Sequence, residues 1–407
     1  MNDDPLHRRP SARARRQPHR KCRVNRVRRA STAKLVVTLA AVLSPMLASL
    51  PASASASALA TTPTATAASL PTSASHSTPA SVVAPAAQRR SPEVVSPAGE
   101  VAARRVTVER IAGADRYEQS ALVAARAFPR AELVYLASGE KFADALGAAS
   151  IAAIHRAPLL LVQGGRLPAS VAAELGRLAP SSVVLVGGAA SVSDDVLVEV
   201  SRVAVGATVS RIDGADRYEV SRRLLADDLA GAPSASRLTL ASGRDFPDAL
   251  SSASAAARLQ APVVLVDGIA PLSPPERAVF EAPRVTSLTI VGGAASVSAE
   301  VERALASPSR SSTRLAGADR YETSAVVNRA AYPAAATVFL ASGAGFAVAL
   351  SGGQVAATAA APLYVVRPDC VPRPVLDELT RLNPTRIIVL GGLGTLSSAV
   401  SALTPCP

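Results

Sequence analysis

The 407-residue chain has no tryptophan and only six phenylalanines and six tyrosines. Proteins that grip neutral sugars by stacking need exposed aromatic platforms, and this chain can hardly build them. Histidine is almost as scarce: His7, His19, His76 and His155 are all there is. No His/Cys/carboxylate cluster has metal-ligand spacing, so neither a metal nor a cofactor is expected. No G-x-G-x-x-G and no G-x-x-x-x-G-K-[ST] occurs, which removes the common nucleotide fingerprints. Of the three cysteines, Cys22 lies among the basic residues near the N-terminus, leaving Cys370 and Cys406 as an even pair.

An excess of positive charge is also missing where it would matter. The formal net charge is +12, but residues 1–34 hold 12 Lys/Arg against 2 Asp/Glu. Residues 106–407 hold 27 basic and 27 acidic side chains, so they lack the positive field that nucleic-acid binding needs. The basic stretch has another use. It precedes the apolar run Leu35–Leu50, and overlapping A-x-A sites follow at Ala52–Ala58. Residues 1–58 therefore read as a signal peptide, and the run is shorter than the roughly 20 residues that span a membrane. No membrane contact is expected after cleavage. Residues 59–105 are rich in Ala, Ser, Thr and Pro and read as a disordered spacer. In an exported protein, Cys370 and Cys406 are expected to form a disulfide.

From residue 106 the chain repeats itself. Arg110–Glu118 (RIAGADRYE) returns as Arg211–Glu219 and again as Arg314–Glu322, at separations of 101 and 103 residues. Each copy continues with Leu-Ala-Ser-Gly, then Ala-Pro and an apolar run, then an aliphatic strand ending in Gly-Gly. Four landmarks in one order, three times, define three units: 106–205, 206–308 and 309–407. Short aliphatic strands alternate with helical segments, which predicts a parallel sheet covered on both faces. The fold class is α/β, in three small three-layer domains.

Within each unit two elements could carry function. Asp115, Asp216 and Asp319 stand three residues before a Glu, the spacing of a capping box at a helix start. Arg116, Arg217 and Arg320 follow them. A cation is poorly placed there against the helix dipole, so either an ion pair or an anionic ligand should hold it. The second element is Ser138-Gly139, Ser242-Gly243 and Ser342-Gly343, at the end of a strand. In parallel sheets ligands bind beyond the carboxyl ends of strands. The Ser-Gly pairs are either plain turns or backbone N–H donors to an anion. Asp144 and Asp248 start the next helix in the first two units, where the third has Val348. If the arginines pair with these acids inside their own unit, Arg320 is left without a partner; pairing across a boundary is the alternative. The Ala- and Ser-rich helices that follow pack either on their own sheet or on one another around a pseudo-threefold axis.

The Asp-Arg-Tyr, Leu-Ala-Ser-Gly…Phe-Ala-Asp-Ala-Leu, Ala-Pro-Leu-Leu-Leu and Val-Gly-Gly…Val-Ser landmarks resemble the cell wall-binding repeat type 2 family of Gram-positive surface proteins. The resemblance covers about residues 106–407. It implies a Rossmann- or Toprim-like unit, a triangular arrangement of three units, and noncovalent attachment to an anionic wall polymer or a peptidoglycan-associated polymer. It also ties anchoring to a Pro-Ile-Leu-Leu stretch, which falls on Pro158–Leu161, Pro262–Leu265 and Pro362–Val365, so that Pro158, Pro262 and Pro362 join the candidate polymer-binding residues. Arg-heavy usage, with Lys141 the only lysine after residue 34, looks like a high-GC actinobacterium. A non-catalytic, secreted wall-binding protein is the expectation. A wall-modifying hydrolase of the amidase type, or a structural or adhesive surface protein, are the alternatives.

Overall fold

The computed structural model describes residues 106–407. The expected signal peptide and spacer, residues 1–105, lie outside the described residues. The first unit runs β1 (Thr107–Ile111), α1 (Arg116–Ala127), β2 (Leu133–Ser138), α2 (Phe142–His155), β3 (Leu159–Val162), α3 (Ala169–Leu178), β4 (Ser182–Val186) and α4 (Asp194–Val203). The second repeats this order as β5 (Thr208–Ile212), α5 (Arg217–Ala226), β6 (Arg237–Ser242), α6 (Pro247–Leu259), β7 (Val263–Val266), α7 (Pro274–Phe280), β8 (Ser287–Val291) and α8 (Ala299–Ala304). The third comprises β9 (Ser311–Leu315), α9 (Arg320–Ala331), β10 (Thr337–Ser342), α10 (Ala347–Thr358), β11 (Leu363–Val366), α11 (Arg373–Leu382), β12 (Arg386–Leu390) and α12 (Ser398–Ser401).

These elements form three four-stranded parallel sheets, with helices between successive strands as the alternating pattern predicts. The strand orders are β3-β2-β4-β5, β7-β6-β8-β9 and β11-β10-β12-β1. The strand that opens each sequence repeat is thus bonded into the sheet of the repeat before it. β5 lies on β4, β9 lies on β8, and β1 has the third sheet as its partner, pairing Thr107–Ile111 with Arg386–Leu390. Ends of the described chain nearly 300 residues apart therefore close a ring. The closure is reinforced by Arg386, whose Nε and Nη2 donate to the two carboxylate oxygens of Glu109 at 2.9 and 2.7 Å.

Each sheet buries both faces. In the third, Val338, Leu340, Tyr364, Val366, Ile387 and Val389 pack outward against α11 and α12. The alternate residues Phe339, Ala341, Leu363, Val365, Ile388 and Leu390 face the common core, as the two-residue period of a strand requires. That core is built on α2, α6 and α10, which pack against one another. Both expectations for the small-residue helices hold. A methyl group on Gly352 would meet Leu390 and Leu363 of its own sheet, and one on Gly353 would come within 2.7 Å of Ala253 on α6.

The outer edges of the sheets are closed by serine. An edge strand presents unpaired N–H groups that must be covered. Leu161, Leu265 and Val365 donate to the buried hydroxyls of Ser120, Ser221 and Ser324 on α1, α5 and α9. Two residues earlier, Val263 donates to Ser150 and Leu363 to Ser254, each serine coming from the preceding unit. In the third unit Gln354 occupies the place of these serines, and its amide oxygen is buried with no partner.

Cys370 and Cys406 are bridged, as expected from export. The bridge pins the C-terminal segment, where Val371 and Cys406 exchange backbone bonds with Thr404 and Val371.

Ring closure through β1 carries a testable consequence. A chain lacking Thr107–Ile111 leaves an edge of β12 bare and removes about four or five backbone hydrogen bonds. At about 1 kcal/mol each, thermal or urea unfolding should show a loss on the order of 4 kcal/mol. A loss below about 1 kcal/mol would mean that the ring is stable without its closing strand.

Candidate functional site

At the N-terminal ends of the three central helices, Phe142, Phe246 and Phe346 meet in a triangle with ring centroids 5.6, 5.8 and 6.1 Å apart. The edge-on and tilted contacts are those aromatic quadrupoles prefer. An arginine lies over each ring, and each comes from the next unit around the ring. Arg217 lies 5.2 Å from the Phe142 centroid, Arg320 5.6 Å from Phe246, and Arg116 6.0 Å from Phe346. The site is therefore three junctions between units, arranged around one axis.

Each arginine is also held by its own unit. Nη1 of Arg116, Arg217 and Arg320 donates to the carbonyl oxygens of Gly139, Gly243 and Gly343 at 2.6, 2.6 and 2.8 Å. The aspartates before them start the helices. One carboxylate oxygen of Asp115, Asp216 and Asp319 accepts two backbone N–H bonds from the first turn. Glu118, Glu219 and Glu322 reach back to the N–H of Ala114, Ala215 and Ala318.

The Ser-Gly turns have a different role from the one that would let them face an anion. The N–H groups of Gly139, Gly243 and Gly343 are committed to Val162, Val266 and Val366. Ser138, Ser242 and Ser342 are buried, with hydroxyls that accept from backbone N–H groups one or two residues past the glycine. These turns are positioning devices. A methyl group at Gly139 would sit 2.7 Å from the Tyr117 ring, so the tyrosine and arginine can pack only against glycine. Pro158, Pro262 and Pro362 are buried at the opposite ends of the strands. Four residues of parallel strand put them about 13 Å from the junctions. The structure does not bring the prolines to this site.

Asp144 and Asp248 lie in the first turns of α2 and α6, each against a Gly with positive φ. A methyl on Gly187 would come within 2.5 Å of Asp144, and one on Gly292 would clash with Asp248 likewise. Burial pushes the Asp144 carboxyl above the usual carboxylate range, opposed by Ser191 and by the charges of Arg217 and Lys141. Burial likewise raises Asp248, opposed by Ser296 and the charge of Arg320. The acid of one unit thus faces the arginine of the next. Pairing does not stay within a unit, and Arg320 is not the arginine left without an acid: its Nη2 also lies 3.8 Å from Asp245. The position falls to Arg116, which meets the third unit where Val348 replaces the acid and Thr395 replaces the serine. Arg116 is exposed, whereas Arg217 and Arg320 are half-buried.

Two groups of recurring residues at this site have no role in the sequence reading. One is the phenylalanine triangle. The other is Arg110, Arg211 and Arg314, whose Nη1 atoms donate to the first glycine of each Gly-Gly pair, Gly391, Gly187 and Gly292, at 2.7, 2.7 and 2.6 Å. Both recur at fixed places in every copy, and that recurrence was the available signal. His155 bonds the carbonyl oxygen of Gly231 at 2.7 Å, across the first junction. Among the described residues no group of His, Cys, Asp and Glu could hold a metal ion, and no helix is long and apolar enough to cross a membrane.

Fold and site together define a tandem α/β repeat protein whose junctions gather guanidinium groups around one axis. Its family is the cell wall binding domain 2 (CWB2) family: that family's model matches residues 110–197, 211–302 and 314–401, and the chain belongs to it. It is 23% identical over 295 residues to N-acetylmuramoyl-L-alanine amidase LytC of Bacillus subtilis (strain 168), covering 72% of this chain and 57% of that one. It is 29% identical over 264 residues to the amidase enhancer of the same organism, covering 65% of this chain and 35% of the relative. Among solved structures, Cwp6 from Clostridium difficile superposes with a TM-score of 0.67 at 26% identity, covering 74% of this chain and 48% of that one. Cwp8 from the same organism superposes with a TM-score of 0.63 at 25% identity, covering 74% and 51%. The chain spans about half the length, or less, of most of these relatives.

The cross-junction pairing can be tested by stability. Arg217→Ala and Arg320→Ala each take from a buried or half-buried carboxylate the cation that acts on it most strongly, whereas Arg116→Ala does not. With a discount for partial exposure, the first two should cost about 1–2 kcal/mol more than the third in chemical unfolding. Equal losses in all three would show that the acids do not depend on these arginines.

Proposed function

We propose that this chain attaches noncovalently, and without catalysis, to an anionic polymer of the bacterial wall at the cell surface. The observation that carries the reading is the ring of Arg116, Arg217 and Arg320 around the phenylalanine triangle. It offers charge and hydrogen-bond donors, while the phenylalanine rings pack edge-on and tilted against one another rather than under a sugar. Guanidinium recognises phosphate and carboxylate through charge-assisted hydrogen bonds. Three junctions on one body also supply the effective concentration by which a repeating polymer is held. The relatives named as an amidase and an amidase enhancer match over stretches comparable in length to the three units, which leaves much of each relative outside the likeness.

Co-sedimentation with protein-stripped Gram-positive cell walls checks this. Retention should fall several-fold between low salt and about 0.5 M NaCl, because exposed charge pairs are screened over a Debye length of a few ångströms there. Retention that ignores salt would favour a neutral glycan. Clearing of wall material in a zymogram by the purified chain would overturn the non-catalytic reading.

A further inference from the structure

The three junctions are alike in backbone and unlike in charge. At the second junction a cavity of about 510 Å³ is lined by two arginines, Arg244 and Arg320, and three aspartates, Asp245, Asp248 and Asp319. Asp319 caps α9, so the two carboxylates left, Asp245 and Asp248, match the two arginines. At the first junction Asp144 faces Arg217, and within the first unit Lys141 Nζ donates to the Ala190 carbonyl oxygen at 2.7 Å. Both junctions place an acid opposite the incoming arginine, Asp144 opposite Arg217 and Asp248 opposite Arg320.

The third junction, between the last unit and the first, does not. Its cavity of about 430 Å³ is lined by one arginine, Arg116, and one aspartate, Asp115. One carboxylate oxygen of Asp115 already accepts the N–H groups of Tyr117 and Glu118. Where the other junctions place an acid against the arginine, this one has Val348, beside the ring of Phe346. Among the described residues neither Arg116 nor Arg217 has a carboxylate within ion-pair distance, but Arg217 has Asp144 opposite it across the junction and Arg116 has no acid in the corresponding place. The Arg116 guanidinium keeps one hydrogen bond, from Nη1 to Gly139, and its other donors are uncommitted among the described residues. The rest of the wall is neutral: Gly391, Gly392 and Gly394 on one side, Gln119 and Thr395 on others.

We infer that the junction between the third and first units is the anion-receiving subsite of the ring, where one phosphodiester or carboxylate group of the polymer takes the place that Asp144 and Asp248 fill at the other two. The bound group supplies the missing counterion to Arg116, and Val348 leaves the room. Because β1 and β12 close the ring beside this junction, the subsite exists only when the first and last units are joined. The inference rests on the wall-binding reading and selects one of its three arginines.

The test uses the full chain and protein-stripped Gram-positive walls at low salt. Val348→Asp gives the third junction the acid of the other two and should lower wall affinity at least tenfold, with an unchanged or raised melting temperature because Arg116 gains a partner. Val348→Asn, nearly the same size without the charge, should lose far less. Arg116→Gln should also lose about tenfold with little change in melting temperature. Walls treated with hydrofluoric acid lose phosphodiesters, and carbodiimide-amidated walls lose free carboxylates. Loss of binding to the first assigns phosphate, and to the second carboxylate. Undiminished binding to both excludes an anionic group and overturns the inference. If the parent chain binds walls but Val348→Asp binds within twofold of it, the subsite is wrong and wall binding stands. If the parent chain does not sediment with walls at all, the wall-binding reading falls and the subsite with it.

Discussion

Each unit gives its first strand to the sheet of the unit before it, and the rest of the molecule is arranged around that offset. β5 and β9 carry the chain forward from one sheet to the next, and β1 can be paired only if the third sheet comes back to meet it. Three units linked in this way have no free end. The cost of bringing distant segments together grows only slowly with loop length, while each strand added to an edge satisfies a row of backbone groups that water would otherwise have to reach. The same offset decides which side chains meet. The arginine five residues past each offset strand lands over the phenylalanine of the neighbouring unit, and for Arg217 and Arg320 opposite that unit's acid.

Small residues make this arrangement possible. Three central helices can approach one axis only where their facing positions are Gly, Ala or Ser, as Gly353 against Ala253 shows. Close approach then places hydroxyls where they close the sheet edges. Ser150 and Ser254 serve both purposes at once, filling the helix contact and accepting an N–H from the next unit's edge strand. The third unit is less regular. Gln354 instead donates to the Ala149 carbonyl oxygen at 3.1 Å, and Val348 stands in place of the acid. Both departures face the first unit, so the junction that closes the ring is also the one least like the others.

The site shows how one motif serves structure and recognition together. The N-capping aspartates, the Ser-Gly turns and the arginines that clamp the Gly-Gly carbonyls fix the backbone of each junction. What differs is charge, above all at the helix start where Val348 stands in place of Asp144 and Asp248. A cation beside a buried acid is neutralised within the protein, whereas the same cation beside a valine can be neutralised only from outside. Glycine with positive φ at 187, 292 and 391 gives all three junctions the same shape, so the contrast between them is electrostatic more than geometric.

Local and periodic features were legible in the chain itself. The three copies, the alternation of strand and helix and the capping aspartates could be read because each depends on residues near in sequence or on a repeated spacing, and the Cys370–Cys406 pair because only two cysteines lie beyond the basic N-terminal stretch. The family resemblance rests on the same recurring landmarks. The Arg–Asp partnership was legible as two alternatives, and sequence could not choose between them, since pairing within a unit and pairing with the next use identical motifs. The choice came from the strand offset, which rotates every arginine onto its neighbour and so moves the exception from Arg320 to Arg116. Sequence likewise marked Pro158, Pro262 and Pro362 as candidates, whereas the sheet buries them at the ends of strands far from the junctions. Which surfaces meet around a closed ring depends on backbone pairing between segments nearly 300 residues apart, and no local pattern in the chain encodes that register.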